Sequence, residues 1–264
     1  MQNWKEDSIW YELSLNTIYN MDCIEWMKLI PDGSIDAIIT SPPYNIWKEY
    51  NEDIDIGNFI RKWVKKIKKD GIFIRQVGNR IEKWFIEPID ISTHSIFKEE
   101  WFSLVNRIVW SFWHGLHAKK RLSGRYEVVC IYTRNNNYTF NLDDIRIPQK
   151  YPNKRHYKWP KKWQLSGNPL WKNPWDVWDI SNIKNNHPEK TSHPCQFPEQ
   201  LINKLLLWFT NEWDIILDPF IWSWTTAIAC INTNRNFIWF ELDEWYWNIA
   251  NKRIQDSLSD NTLF

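Results

Sequence analysis

Glycine is scarce in this chain: 7 residues among 264, where ordinary usage would supply roughly 18. Tryptophan, normally the rarest residue, occurs 21 times. Cysteine is sparse too. Cys23, Cys130, Cys195 and Cys230 lie far apart with no CxxC pair, which argues against a zinc site or a disulfide framework and for a reduced, cytoplasmic setting. No apolar run approaches the roughly 18 residues of a membrane span. The opening MQNWKEDSIW is polar and mixed in charge, unlike a secretory signal. Net charge is nearly absent at +1. What remains, 43% apolar and 25% charged residues, is the make-up of a globular domain and argues against a disordered tail or a fibre.

The near-zero net charge hides an asymmetry. Between Lys119 and Lys172 there are 13 Lys and Arg against three acids, Glu127, Asp143 and Asp144. Within it, 148–172 carries seven basic residues and no acid, interleaved with Tyr151, His156, Tyr157, Trp159 and Trp163. Pro148, Pro152, Pro160 and Pro169 make this stretch read as irregular loop. A solvated basic loop is the plain alternative. Its length, its aromatics and its lack of acids favour a surface that faces a polyanion.

Strand-like runs fall at 35–40, 71–77, 104–110, 126–133, 214–218 and 236–241, with helical patterns at 58–69, 85–99, 197–211, 225–233 and 243–257. Strands alternating with helices of this length predict an α/β fold with a doubly wound, mostly parallel sheet. The basic 58–69 helix is read as a solvated face over Phe59, Ile60, Trp63, Val64 and Ile67.

Two constellations carry chemistry. Thr40-Ser41-Pro42-Pro43-Tyr44 follows the run IDAIIT directly. Its prolines stop the strand and hold the Ser41 hydroxyl and the Pro42 carbonyl at a strand's carboxyl end, where open α/β sheets bind ligands. Two fixed acceptors beside an aromatic face suit a flat group bearing an –NH2. The second constellation is DIILDPFIWSWTT, from Asp214 to Thr226. Strand, acidic residue, turn and helix start form the plan of a nucleotide-type cofactor loop. A second strand then ends in Phe240-Glu241-Leu242-Asp243, which places a carboxylate for ribose hydroxyls.

TSPPY followed far downstream by DPFxxxxTT and FELD resembles the β-class DNA amino-methyltransferases, over nearly the whole chain. Further likenesses are Arg125-Tyr126-Glu127, the HPCQFP segment from His193 to Pro198, and the stretches NIWKEY, WHGLHAKKRLSGRYE and RIPQKYPNKR. These last look closest to the HpaI-like modification enzymes of type II restriction–modification systems. The resemblance implies a Rossmann-like S-adenosylmethionine-dependent fold with a seven-stranded sheet in a single domain, 1–264. Within it, 15–133 would be the catalytic half, about 134–190 an inserted target-recognition segment, and 191–257 the cofactor-binding half. It assigns Ser41, Pro42, Pro43 and Tyr44 to catalysis. It assigns Asp22, Pro194, Gln196, Asp218, Pro219, Phe220, Trp222, Ser223, Trp224, Thr225, Thr226, Glu241 and Asp243 to the cofactor. The basic residues Lys119, Lys120, Arg121, Arg125, Lys150, Lys154, Arg155, Lys158, Lys161 and Lys162 are the expected contacts to double-stranded DNA.

The implied reaction moves a methyl group from S-adenosylmethionine to the exocyclic N6 of a flipped-out adenine, with cytosine N4 as the alternative because Ser heads the motif. A cognate restriction endonuclease acting separately is the implied partner. No covalent intermediate is needed, so Cys23 and Cys195 are read as packing residues. His114 and His117 have no third ligand in sight, and no metal is expected.

Trp222 and Trp224 stand at both glycine positions of the family's DPFxGxGTT loop. The same replacement recurs at Trp26, Trp47, Trp101, Trp159, Trp163, Trp171, Trp175, Trp213, Trp239 and Trp245, where family members tend to carry glycine. Independent drift would not choose one substituent so often. The pattern is that of a gene whose UGA codons encode glycine, translated as though they encoded tryptophan. Trp110 and Trp178 are read as genuine. If Trp222 and Trp224 are genuine as well, a non-enzymatic DNA-binding relic becomes the alternative.

Overall fold

The computed structural model describes residues 14–42, 55–115, 117–184, 187–190, 196–220 and 225–261. Ten strands and seven α-helices are found among them. In chain order they are β1 (Thr17–Asn20), α1 (Cys23–Trp26), β2 (Ile35–Thr40), α2 (Ile56–Trp63), β3 (Ile67–Val77), β4 (Asn79–Glu82), β5 (Phe85–Pro88), α3 (Ile89–Ser92) and α4 (His94–Glu99). There follow β6 (Ser103–Ser111), β7 (Tyr126–Thr133), β8 (Val177–Asp179), α5 (Glu199–Phe209), β9 (Ile215–Asp218), α6 (Thr225–Asn232), β10 (Asn236–Glu241) and α7 (Glu244–Asn261).

The main sheet has the order β1-β10-β9-β2-β3-β7-β6-β8. From β1 to β3 every neighbour is parallel; β7 then runs antiparallel to both β3 and β6. Strands such as IDAIIT are apolar at nearly every position because both faces of a parallel sheet are covered. Alternation sorts them cleanly. Ala37, Ile39, Ile72, Ile74, Phe237 and Trp239 join one core with Leu201, Leu205, Ala227 and Ile254 of α5, α6 and α7. Ile38, Phe73, Ile238 and Phe240 join the other with Phe59, Ile60 and Trp63 of α2 and Phe97 of α4. α2 thus buries the apolar stripe read from the sequence and leaves Arg61 and Lys62 outside.

All six strand runs expected from the sequence are present. Among the described residues the sheet counts eight strands rather than seven: β8, a three-residue strand just after the basic stretch, adds to the β6 edge through Val109, Trp110 and Ser111. β1 also escaped the sequence reading, because four residues carry too little periodicity. The expected helix over 85–99 is replaced by β5 and two short helices, since Pro88 and the β4–β5 pairing break it. The helix expected over 58–69 ends at Trp63, and Ile67 already belongs to β3.

Seven described residues other than glycine have positive φ, and four of them are tryptophans: Trp101, Trp163, Trp171 and Trp213. This conformation is rare for bulky side chains.

Candidate active site

Because β1, β10, β9, β2 and β3 are parallel, their carboxyl ends share one edge of the sheet, and the candidate residues collect there. Asp22 follows β1, Glu241 ends β10, Asp218 ends β9, Ser41 and Pro42 follow β2, and Gln76 lies at the end of β3. β2 is hydrogen-bonded to β9 on one side and β3 on the other, so Ser41 and Asp218 leave adjacent strands despite their distance in sequence. Pro43, Tyr44, Pro194, Trp222, Ser223 and Trp224 lie outside the described residues.

The acidic members sit in dissimilar surroundings. Asp218 is buried, and desolvation pushes its carboxyl up to about 8, although the Phe220 N–H donated to Oδ1 at 3.2 Å works the other way. Burial likewise raises Glu241 to about 7, against the Asp243 N–H that it accepts at 2.9 Å. Asp22 and Asp243 are exposed and cap helices. Asp22 accepts Ile24 N–H at 2.6 Å at the start of α1, and Asp243 accepts Trp245 and Tyr246 N–H at 2.9 and 3.1 Å at the start of α7.

Apolar walls complete this end. Phe220 packs on Phe59 with ring centroids 4.9 Å apart, and Tyr19 stacks on Trp26 at 5.0 Å. Thr225 and Thr226 are buried at the start of α6, where Thr225 Oγ1 donates to the Phe197 carbonyl at 3.0 Å. Gln196 donates through Nε2 to the Glu189 carbonyl. Pro219 connects Asp218 to Phe220.

On the catalytic side, Ser41 Oγ donates to Gln76 Oε1 at 2.6 Å, and Gln76 Nε2 donates in turn to Glu127 Oε2. Desolvation pushes Glu127 up to about 7. Sequence reading missed Gln76 entirely. It is an interior strand residue, and its only signal is the polar pair Arg75-Gln76 in an otherwise apolar run, 71–77.

The basic residues fall in two stretches. Lys119, Lys120, Arg121 and Arg125 lie in the connection between β6 and β7, whose paired Ser111 and Tyr126 are at this same edge, and the others lie between β7 and β8. Lys119, Lys120, Arg121, Lys150, Lys154, Arg155, Lys158 and Lys161 are exposed; Arg125 and Lys162 are half-buried. The segment folds back on itself through isolated bridges joining Ile147 to Lys172 and Arg155 to Leu165. Arg155 Nη1 donates to the Trp163 carbonyl at 2.6 Å, so one guanidinium N–H is spent on the loop itself. Lys150, Pro152, Asn153, Lys154, Tyr151 and Tyr157 line a shallow groove. His114 and His117 are both exposed, which removes a core role for either. No described helix is long and apolar enough to cross a membrane.

A "DNA methylase" family model, of the N6/N4 type, matches residues 35–252. The type II methyltransferase M.BglII of Bacillus subtilis is 42% identical over 259 residues, covering 95% of this chain and 72% of the relative. The DNA adenine methyltransferase YhdJ of Escherichia coli is 31% identical, over 90% of this chain and 82% of its own. Among solved structures, the M1.HpyAVI–SAM complex superposes with a TM-score of 0.64 at 24% identity, covering 90% of this chain and 98% of the other. The fold is therefore the Rossmann-like methyltransferase fold, and the chain belongs to the N6/N4 DNA methylase family.

Proposed function

We propose that this protein is a site-specific DNA amino-methyltransferase, the modification component of a type II restriction–modification system. The observation that carries the reading is the adjacency of β2 and β9, which brings the Ser41–Pro42 end beside the Asp218 end. The groups along the second end fit S-adenosylmethionine. Glu241 is a carboxyl that accepts ribose hydroxyls, and its burial is a cost that such hydrogen bonds offset. Asp22 lies one strand away from it, and Phe220 with Phe59 offers an apolar wall for an adenine ring. When bound, the cofactor supplies an electrophilic sulfonium methyl.

The chain's own residues do the rest by positioning. The amino group of a base in a duplex is out of reach, so the base must leave the stack. Ser41 Oγ and the Pro42 carbonyl then accept its two N–H bonds. That favours a pyramidal nitrogen whose lone pair faces the methyl group, and it stabilises the positive charge that develops there. Tyr44 is assigned the stacking face. The exposed lysines and arginines of 119–162 provide phosphate contacts, which give affinity and salt dependence, while base edges supply sequence choice. A restriction endonuclease of the same specificity is the expected partner, acting separately.

Adenine N6 is the favoured acceptor, supported by the likeness to YhdJ, a DNA adenine methyltransferase, at 31% identity. Cytosine N4 is the second reading, and Ser41 favours it, since an acidic residue more often heads the motif of adenine enzymes. The test is nucleoside mass analysis of DNA of many sequence contexts, incubated with S-adenosylmethionine and the chain, and in parallel with its Trp222→Gly, Trp224→Gly variant. N6-methyladenine is expected. N4-methylcytosine would overturn the choice of base and keep the chemistry. No methylated base with either protein would leave the DNA-binding relic as the better account.

A further inference from the structure

The hydrogen-bond chain from Ser41 to Glu127 has a direction. Gln76 Nε2 donates to Glu127 Oε2, which fixes the Nε2 side of the amide on that carboxyl. The Gln76 Oε1 is thereby turned toward Ser41, and the serine hydroxyl proton is committed to it at 2.6 Å. Gln76 is 4% exposed, so water does not compete for its amide. β3 and β7 hold the pair in place: Gln76 is registered opposite Val129, two positions along from Glu127 on β7.

Resting on the amino-methyltransferase reading, we infer that Gln76 is a positioning residue which, anchored by Glu127, takes the Ser41 proton and leaves both Oγ lone pairs free to accept the target amine. Without it the hydroxyl rotates among its staggered positions, and in some of them it offers a proton where an acceptor is required. No bond is made or broken in the relay; it fixes polarity before the base arrives.

The test compares Gln76→Met, and the shorter but still polar Gln76→Asn, in the native chain and in a Ser41→Ala background, with thermal melts to establish folding. In the native background kcat should fall about tenfold, the scale of one lost hydrogen bond, with KM for DNA and for S-adenosylmethionine unchanged. With Ser41→Ala already present, the same changes should cost nothing more. Equal losses in both backgrounds, or a loss confined to KM, would overturn the proposal. A second readout does not depend on activity. The 15N-labelled Gln76 side-chain amide should exchange slowly and shift on Glu127→Gln; an amide indifferent to that change sinks the relay. A coupled amide in a protein that methylates no base would support the relay and count against the transferase reading alone.

A separate observation carries a second inference. Trp101 sits one residue past the cap of α4, where its N–H donates to Lys98 O at 3.1 Å and Phe102 N–H donates to Phe97 O at 2.8 Å. That paired geometry closes a helix with a left-handed residue, usually glycine. The equivalent position after α6 is Asn234, a residue that tolerates positive φ. Trp213 occupies the third place of the Asn211–Asp214 turn, which also calls for glycine when φ is positive. Trp110 and Trp178, by contrast, donate their indole N–H to Ile180 O and Trp175 O at 2.8 Å. Among the described residues, the buried indole N–H of Trp239 has no partner, as is also true of Trp63 and Trp208.

The backbone thus assigns glycine to Trp101, Trp163, Trp171 and Trp213, and we infer that their codons are read as glycine in the native host. UGA at all four positions is the expected codon; UGG at them would overturn the inference. Independently, the fourfold Trp→Gly variant should melt higher than the chain as written, and a lower melting temperature would contradict the assignment of glycine.

Discussion

The strand-end edge and the basic segment are held by different means. At the edge, Gln76, Asp218 and Glu241 ride on strands whose register is set by two apolar cores, and Ser41 directly follows one such strand. Desolvation raises three carboxyls there, Glu127 and Glu241 to about 7 and Asp218 to about 8. In the segment from Ile147 to Lys172 the backbone is tied by two isolated bridges and by turn hydrogen bonds such as Trp163 N–H to His156 O, and most side chains reach solvent. Rigid burial suits groups that must meet a reacting atom within tenths of an ångström. Exposed charge on an irregular loop suits a polyanion whose phosphates repeat along its length.

The sharpest way to break this contrast is to exchange the effects. Ser41→Ala should lower kcat by about a hundredfold or more, by analogy with removal of one preorganised polar group, and leave DNA affinity intact in a filter-binding titration. Replacing Lys154, Lys158 and Lys161 by Gln together should do the reverse. The slope of log affinity against log salt should fall by roughly 0.9 for each phosphate that is no longer neutralised, while single-turnover chemistry at saturating DNA stays unchanged. Parallel losses of chemistry and affinity in both variants would dissolve the distinction.

A smaller effect concerns pH. Asp218, Glu127 and Glu241 bind protons more tightly folded than unfolded, because burial raises Asp218 to about 8 and the two glutamates to about 7. The folded state therefore holds more protons, and stability falls as pH climbs from the ordinary carboxylate range of about 4 toward 8. The melting temperature should drop by several degrees between pH 5.5 and 8, and Asp218→Asn should flatten that slope. A melting temperature that rises over this interval would contradict the burial of these groups.

The smallest expected change belongs to the left-handed tryptophans. Trp101→Gly should stabilise by about 1 kcal/mol, the approximate cost of αL for an L-residue. The indole is 84% exposed, so little burial is forfeited. Effects at Trp101 and Trp213 should add, as they do for independent sites; calorimetry on the single and double variants checks both points.

Much of the fold was legible because a parallel sheet covered on both faces writes itself as short apolar runs, and six of them, from IDAIIT to NFIWFE, fall where strands form. Proline arrests such as Ser41-Pro42 and the acid at Asp218 were equally visible, since each is local. β8 was not: three residues of Val-Trp-Asp become a strand only because β6 has a free edge beside them. Pro88 could have warned against a helix over 85–99, yet the hairpin that replaces it depends on β4 pairing with β5.

The sequence by itself determined the chemistry on offer: two acceptors behind a strand, an acidic strand end with its cofactor-type loop, a basic stretch without acids, and a glycine deficit matched by surplus tryptophan. Only the tertiary structure decided which of these groups meet. Strand order, which no local pattern encodes, puts β2 between β9 and β3, so that Ser41 has Asp218 on one side and Gln76, backed by Glu127, on the other. The sign of φ at Trp101 and Trp213 was likewise settled by how each turn must close on the packed element beside it. Such arrangements follow from long-range burial of apolar surface, a sum over the whole chain that no window of residues contains.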